Sequence, residues 1–326
     1  MGATMGFGHD TTADEVLDGI DLTGRTMVVT GASGGIGLET ARALAAHGAT
    51  VVLAARDEAK LAAAIESITA AHPGVSVDTL VVDLADLASV RIAANGLRAR
   101  YPAIDALINN AGVMATPDQH RTADGFETQF GVNHLGHFAF TLLLSGALEA
   151  AKPARLVNLS SAGHGMGDID FDDPNFERRP YDKFEAYGQS KMANILFTVG
   201  FDRLFGPRGV RAYAVHPGGI RTDLGRHFTA EDAKRLMEQI AQASTADGEP
   251  MRWKSPAEGA ATTVWAAVSP DLDGHGGIYL EDCGFSQPRT PGGGKGSGYE
   301  PSALDPDRAE RLWQLSMDLV GDAITG

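Results

Sequence analysis

The chain of 326 residues is 43% hydrophobic and 21% charged, the balance of a globular protein able to bury a sizeable core rather than of a disordered one. Its 27 basic against 42 acidic residues, a formal charge of −15, exclude a general affinity for nucleic acid or anionic membrane but not one local basic site for a small anion. The single cysteine, Cys283, excludes an internal disulfide and a four-cysteine zinc site and suits a reducing, cytoplasmic compartment; no long apolar run or secretory leader is seen, so no membrane span is expected.

In chain order, residues 1–22 read as an N-terminal arm with a small helix, because Thr12 and Glu15 have capping-box spacing. Short apolar runs follow at Met27–Thr30, Val51–Ala54, Thr79–Val82, Ala106–Ile108, Leu156–Leu159 and Ala212–Val215. Near-continuous runs of this kind suit strands covered on both faces. Between them lie segments of helical spacing, marked by Leu38, Ala41 and Leu44, by Leu61, Ala64 and Ile68, and by Leu87, Val90 and Leu97. Strand and helix in alternation predict an α/β fold over 23–285, a single-domain Rossmann-type doubly wound parallel sheet with helices on both faces. Inside it, 162–186 reads as an acidic insertion. Segment 223–254, with Leu224, Phe228, Leu236, Met237, Ile240 and Trp253, reads as a water-excluding lid or an ordinary packed helix. The tail 286–326 is predicted to be a mobile Gly- and Pro-rich linker over 286–300, then a docked helix from Asp305-Pro306 with a Leu312, Leu315 and Leu319 stripe and Trp313 beside it.

After the first strand stands Thr30-Gly31-Ala32-Ser33-Gly34-Gly35-Ile36-Gly37, then a helix. Gly31 permits a tight turn. Gly35 and Gly37, lacking Cβ, let backbone approach a diphosphate and helix approach strand, and the helix N-terminus offers free N–H groups and partial positive charge. A purely structural turn is the alternative, but a strand before and a helix after are the context that nucleotide binding requires. The second strand ends Ala54-Ala55-Arg56-Asp57. An acidic residue at the critical position bonds a ribose 2′-hydroxyl, whereas Arg56 can grip a 2′-phosphate bidentately; NADP(H) is therefore preferred and NAD(H) is the alternative. Asp57 either repels that phosphate or caps the next helix.

Tyr187-Gly188-Gln189-Ser190-Lys191 places a Tyr and a Lys four apart, on one helix face. A nearby ammonium favours phenolate and is expected to lower the phenol from about 10 toward working pH. Such a phenol gives a proton to a carbonyl oxygen or takes one from an alcohol. Upstream, a strand ends in Ser160 and Ser161, at the edge where ligands bind in doubly wound sheets, and either hydroxyl suits by position.

The glycine loop, Asn109-Asn110-Ala111-Gly112, Ser161, Tyr187-x-x-x-Lys191 and Pro217-Gly218-Gly219 follow one another over roughly 22–282 in the order seen in the short-chain dehydrogenase/reductase family, which the chain resembles. Phe130 to Phe138 resembles the retinol dehydrogenase and protochlorophyllide reductase branch. The resemblance implies that Tyr187 is the general acid/base, that Lys191 binds nicotinamide-ribose hydroxyls and lowers the Tyr187 pKa, and that Ser161, the second hydroxyl of the pair, holds and polarises the substrate oxygen. It implies a water-linked proton relay at Asn133. It further implies that Asp83 contacts adenine and Asn110 its ribose, with Ser33, Gly34, Ile36, Leu84, Ala111 and Gly112 among the cofactor contacts, and that Pro217 to Thr222, Gly218 and Ile220 included, embrace the nicotinamide amide. The 26 residues from Ser161 to Tyr187 exceed the spacing in compact members, which makes the insertion a wall or rim of the substrate pocket.

The expected function is an NADPH-dependent carbonyl reductase, acting reversibly as an alcohol dehydrogenase on a small-molecule ketone, aldehyde or secondary alcohol. The alternatives are a catalytically silent nucleotide-sensing or scaffold protein and a C=C reductase. Relatives are often dimers or tetramers, but the insertion and tail can block such contacts, so a homodimer or homotetramer stays open. His134 and His137 lack a third ligand at convincing spacing, and packing is the better reading; no metal is expected. Asp168, Asp170, Asp172 and Asp173 fail as a calcium loop, because Asp173 and Arg179 fill the sixth and twelfth positions, and a solvated acidic loop is expected instead. Ser161 with His164 lacks both the nucleophile-elbow pattern and an acid partner for a hydrolase.

Overall fold

A computed structural model of the chain describes residues 6–220, 223–225, 228–232, 234–235, 238, 252–290 and 296–325. The apolar runs form β1 (Thr26–Thr30), β2 (Thr50–Ala55), β3 (Val77–Val81), β4 (Ala106–Asn109), β5 (Ala154–Leu159) and β6 (Val210–His216), joined by β7 (Ile278–Glu281) and the short β8 (Gly284–Phe285). Their order is β3-β2-β1-β4-β5-β6-β7-β8, parallel throughout except for the β7–β8 hairpin. Helices α1 (Ala13–Leu17), α2 (Gly35–Ala46), α3 (Glu58–Ala71), α4 (Leu87–Arg100), α5 (Gly136–Ala151), α6 (Lys183–Phe205), α7 (Pro256–Val268) and α8 (Pro306–Thr325) surround the sheet.

Alternate strand residues feed two separate cores, as the pleat requires. Met27, Val29, Leu53, Ile108 and Val157 face α2 and α7, while Val28, Val52, Leu107 and Leu156 face α4, α5 and α6. With both faces covered, the inner strands are mostly apolar and read as near-continuous runs, whereas β3 at the sheet edge is less covered, with Val81 half exposed.

Thr12 and Glu15 do form the reciprocal cap of α1. The same pattern recurs at Ser255 and Glu258, with Pro256 at the first helical position, and starts α7. The α8 stripe differs from expectation. Ala309, Leu312, Ser316 and Val320 are its buried face, and Leu315 and Leu319 sit half-buried beside it. The rotation follows from Trp313, whose ring lies 5.1 Å from Phe138 and 6.1 Å from Phe197, and from Ser316, bonded to His134 Nε2 at 2.7 Å.

The acidic insertion is a folded loop more than a solvated one. Asp173 accepts the backbone N–H groups of Glu177, Arg178 and Arg179. Asp168 and Asp172 pair with Arg308 and Arg311 of α8. Nor does 286–300 hang free where it is described: Arg289 N donates to Tyr299 O, and Gly298 N donates to the Glu281 carboxylate. Residues 291–295 of that segment, and most of 223–254 including Leu236, Met237 and Ile240, lie outside the described residues.

Candidate active site

The predicted residues converge at the carboxyl edge of the sheet. The turn after β1 begins at Gly31, whose φ of +67° favours glycine, and its N–H donates to Ala54 O at 2.7 Å. A Cβ on Gly37 would lie 2.5 Å from the Gly31 carbonyl oxygen, so only glycine lets α2 start against this turn. Gly34, the N-cap of α2, is exposed and makes no side-chain capping bond. Ser33, Gly34, Gly35 and Ile36 thus surround an uncapped helix N-terminus, a fit for the diphosphate of a dinucleotide. The Asn110 amide donates to Thr30 O, and the N–H groups of Asn110 and Ala111 both donate to Thr30 Oγ1. Asn110 therefore braces the glycine turn from β4.

Arg56 stands exposed just past β2. Asp57 is the N-cap of α3, its carboxylate accepting Lys60 N at 3.0 Å, as the capping reading expects. Asp83 lies in the turn after β3, its carboxylate accepting Ala85 N, and Leu84 packs against Gly136 at the start of α5. After β6, Ile220 bridges to Lys254, whose N–H donates to Gly219 O and whose Nζ reaches Asp282 at 2.5 Å. Pro217, Gly218 and Ile220 are thus propped from the β7–β8 hairpin, a support that the sequence analysis did not find. Thr222 lies outside the described residues.

Tyr187 and Lys191 sit one turn apart on α6, 3% and 4% exposed. The Tyr187 ring lies beside the Ser161 hydroxyl, a Cβ on Gly163 meeting the ring at 3.0 Å and Ser161 Oγ at 3.3 Å, and that hydroxyl accepts Gly163 N at 3.0 Å. Ser160, the other hydroxyl, donates to Lys191 O and takes no part in that pair. Lys191 Nζ donates to Leu159 O at 3.1 Å and lies 5.7 Å from the centre of the Tyr187 ring, with Gly112 alongside. The expected acidification of the phenol is reversed. Burial pushes Tyr187 up to about 12, the Ser161 hydroxyl opposing it, and burial lowers Lys191 to about 8. Desolvation disfavours both charges, and here it outweighs their coupling.

Asn133 lies in a π-helical turn, Gly131–Leu135, between Gly112 and α6. Its amide donates to Val113 O and Ser190 Oγ and accepts Val113 N. Its carbonyl accepts from His137 Nδ1 at 3.0 Å, while His137 Nε2 meets Thr30 Oγ1 at 2.9 Å. His137 is fully buried and lowered to about 4, so it is neutral and links the Asn133 turn to the glycine loop. His134 packs among Phe130, Phe138 and Phe197. No group of three metal-ligating side chains occurs among the described residues. His164 Nδ1 bonds the Ser161 carbonyl oxygen rather than its hydroxyl, so the pair is not a nucleophile and its base. Met114, Ala115 and Phe184 pack beside Tyr187, and Met166, Leu224 and Phe228 close the same apolar wall.

Among the described residues, no helix is long and apolar enough to cross a membrane. The short chain dehydrogenase family model matches residues 25–233. Human retinol dehydrogenase 13 is 42% identical over 303 residues, covering 92% of this chain and 86% of that protein. A short-chain dehydrogenase/reductase of Penicillium rubens is 40% identical over 95% of this chain and 90% of its own length. Among solved structures, a protein of Mycobacterium paratuberculosis superposes with a TM-score of 0.69 at 35% identity, over 92% of this chain and 95% of that one. Gluconate 5-dehydrogenase of Burkholderia cenocepacia, in complex with NADP and tartrate, does so with 0.62 at 26% identity, over 81% and 96%. Matched by the family model over residues 25–233 and about 40% identical to such relatives over more than nine-tenths of its length, the chain belongs to the short-chain dehydrogenase family of NAD(P)-dependent oxidoreductases.

Proposed function

We propose that the protein is an NADPH-dependent carbonyl reductase, working reversibly as an alcohol dehydrogenase on a ketone, aldehyde or secondary alcohol with an apolar flank. The observation that carries this reading is the buried Tyr187 ring beside the Ser161 hydroxyl, with Lys191 buried behind it. The bound cofactor supplies a hydride at its nicotinamide ring. Tyr187, held neutral by burial, is a proton donor at pH 7 for the substrate oxygen, and Ser161 steadies the charge that develops there. Lys191 provides a positive charge and donors for ribose hydroxyls below its pKa of about 8. Asn133 fixes the turn beside Gly112 through its bonds to Val113 and Ser190. Met114, Phe184 and Phe228 keep water from the reacting atoms and favour an apolar substrate, in keeping with the retinol dehydrogenase relative.

NADPH is preferred because Arg56 stands at the end of β2 while Asp57 is engaged in capping. An assay of NADPH oxidation against a panel of apolar aldehydes, ketones and conjugated alkenes tests the reaction class; turnover of alkenes alone overturns the carbonyl reading. Arg56→Asp is expected to raise the KM for NADPH roughly 10–100-fold and to improve NADH use, since a bidentate guanidinium–phosphate pair becomes a repulsive one. Equal use of both cofactors before and after removes Arg56 from phosphate recognition.

The pKa directions also set a pH profile. The phenol remains a donor up to about 12, so donor protonation does not limit reduction between pH 6 and 9. The Lys191 charge is present below about 8 and lost above it. The kcat/KM for reduction should be flat below pH 7 and fall above about 8. A constant value from pH 8 to 10 overturns the role of the Lys191 charge.

A further inference from the structure

Two consecutive carbonyl groups lie next to the Ser161 hydroxyl along the chain, those of Ser161 and Ala162. Each accepts a bond from a side chain that is also tied to the segment between the sheet and α8. Ser161 O accepts from His164 Nδ1 at 2.6 Å, and His164 Nε2 in turn accepts the N–H of Glu300 at 3.0 Å. Ala162 O accepts from Arg289 Nη2 at 3.0 Å. The same guanidinium donates through Nη1 to the Glu300 carboxylate and through Nε to Ser297 O, each at 3.0 Å, with the side chain only 6% exposed.

These bonds close a circuit from Ser161 through His164, Glu300 and Arg289 to Ala162. Only one form of the imidazole satisfies it, neutral with the proton on Nδ1. Burial favours that form, lowering His164 to about 4. Space has been left for the circuit as well. A Cβ on Gly165 would collide with Arg289 Nη1 and lie 2.9 Å from Glu300 Oε1. Arg289 and Glu300 both lie beyond residues 25–233, the part matched by the family model.

We infer that the strap formed by Arg289 and Glu300, acting through His164, positions Ser161 beside Tyr187, so that Arg289 and His164 are positioning residues of the reaction. This rests on the proposed role of Ser161. The turn Ser161–Gly163 and the residues after it already pack on α6, where Gly163 lies against the Tyr187 ring and Gly167 against the Glu185 backbone, and the strap holds the opposite side of the turn. Gly163 N bonds Ser161 Oγ within the turn, and Ala162 N bonds His216 Nδ1 at 3.3 Å. A general acid and its partner must stay within a fraction of an ångström of the productive geometry, and the strap supplies that constraint from outside the catalytic helix.

The test uses the full chain. In Arg289→Ala, amide hydrogen exchange of peptides covering 161–167 should quicken at least tenfold, while peptides of the glycine loop 31–37 stay within twofold, because local opening is governed by the bonds that are lost. Unchanged exchange at 161–167 overturns the inference whatever the activity. With NADPH and an apolar aldehyde found to be reduced, kcat should fall roughly 10–100-fold, as expected for ångström-scale misplacement of a reacting group. The Kd for NADPH should stay within twofold, and Arg289→Lys, which keeps a donor for Ala162 O, should recover part of the rate. In a Ser161→Ala background the same replacement should change kcat less than twofold, since residues that act through one another are not additive. A full additive loss there means that Arg289 acts elsewhere and overturns the inference. If Ser161→Ala alone leaves turnover unchanged, the proposed role of Ser161 fails and the catalytic part of the inference with it. If Ser161→Ala slows turnover and Arg289→Ala does not, the inference alone fails.

Discussion

Tyr187→Phe should lower turnover in carbonyl reduction about 10²–10⁴-fold, the range that a positioned proton donor contributes. The replacement removes one oxygen and leaves the ring, which packs with Met114, Ala115 and Phe184. The fold should therefore hold, and the Kd for NADPH should stay within twofold. The phenol is suited to this task by the same burial that raises it to about 12. At neutral pH it carries its proton, and the substrate oxygen gains basicity as reduction proceeds, so transfer becomes favourable only as the reaction advances. The measurement is steady-state NADPH oxidation alongside a binding titration. A rate within threefold of the parent removes Tyr187 from the chemistry and favours a protein that binds the nucleotide without using this site.

The parallel sheet was legible because burial on both faces demands unbroken apolar runs, and β1, β2, β5 and β6 advertise themselves that way. β7 and β8 were harder to see. Ile278–Glu281 is short, and the hairpin turns at Asp282 and Cys283, whose φ values of +49° and +53° carry none of the glycine that marks such turns in sequence. Helical spacing puts Tyr187 and Lys191 on one face, and the strand end offers Ser160 and Ser161 alike; the choice of Ser161 came from the family resemblance. The direction of the Tyr187 shift could not be read, since it depends on how much water reaches the α6 face, and that is a property of packing rather than spacing. The supports of the site, His137 to Thr30, Lys254 to Asp282 and Arg289 to Ala162, join residues 28 to 127 positions apart. Periodicity carries no signal at such separations. One local signal was available and unused: Ser255-Pro256-Ala257-Glu258 is a capping box with proline in place, enough to predict α7.

Gly37→Ala should both weaken NADPH binding and lower the melting temperature, and a second variant shows why the two effects belong together. The added Cβ would sit 2.5 Å from the Gly31 carbonyl oxygen and against the Asn110 amide. Neither neighbour is a flexible side-chain end. Gly31 is held by its bond to Ala54 O, and Asn110 by its bonds to Thr30. Either α2 backs away from β1 or the Gly31 peptide turns, and both open the loop that faces the diphosphate. Overpacking of this kind costs about 1–3 kcal/mol. For a chain of this size that lowers Tm by roughly 2–4 °C per kcal/mol. If the nucleotide site bears a similar distortion, the Kd for NADPH rises roughly 5–150-fold. Gly34→Ala is the contrast. Its φ of −179° is extended backbone that any residue adopts, and a Cβ there meets nothing within 4 Å. Its Tm should stay within about 1 °C, as for other surface replacements. Any loss of NADPH affinity in Gly34→Ala then reports crowding of the nucleotide itself. If Gly37→Ala keeps both its Tm and its affinity, α2 can shift without disturbing the turn, and the glycine at 37 is not what seats the cofactor.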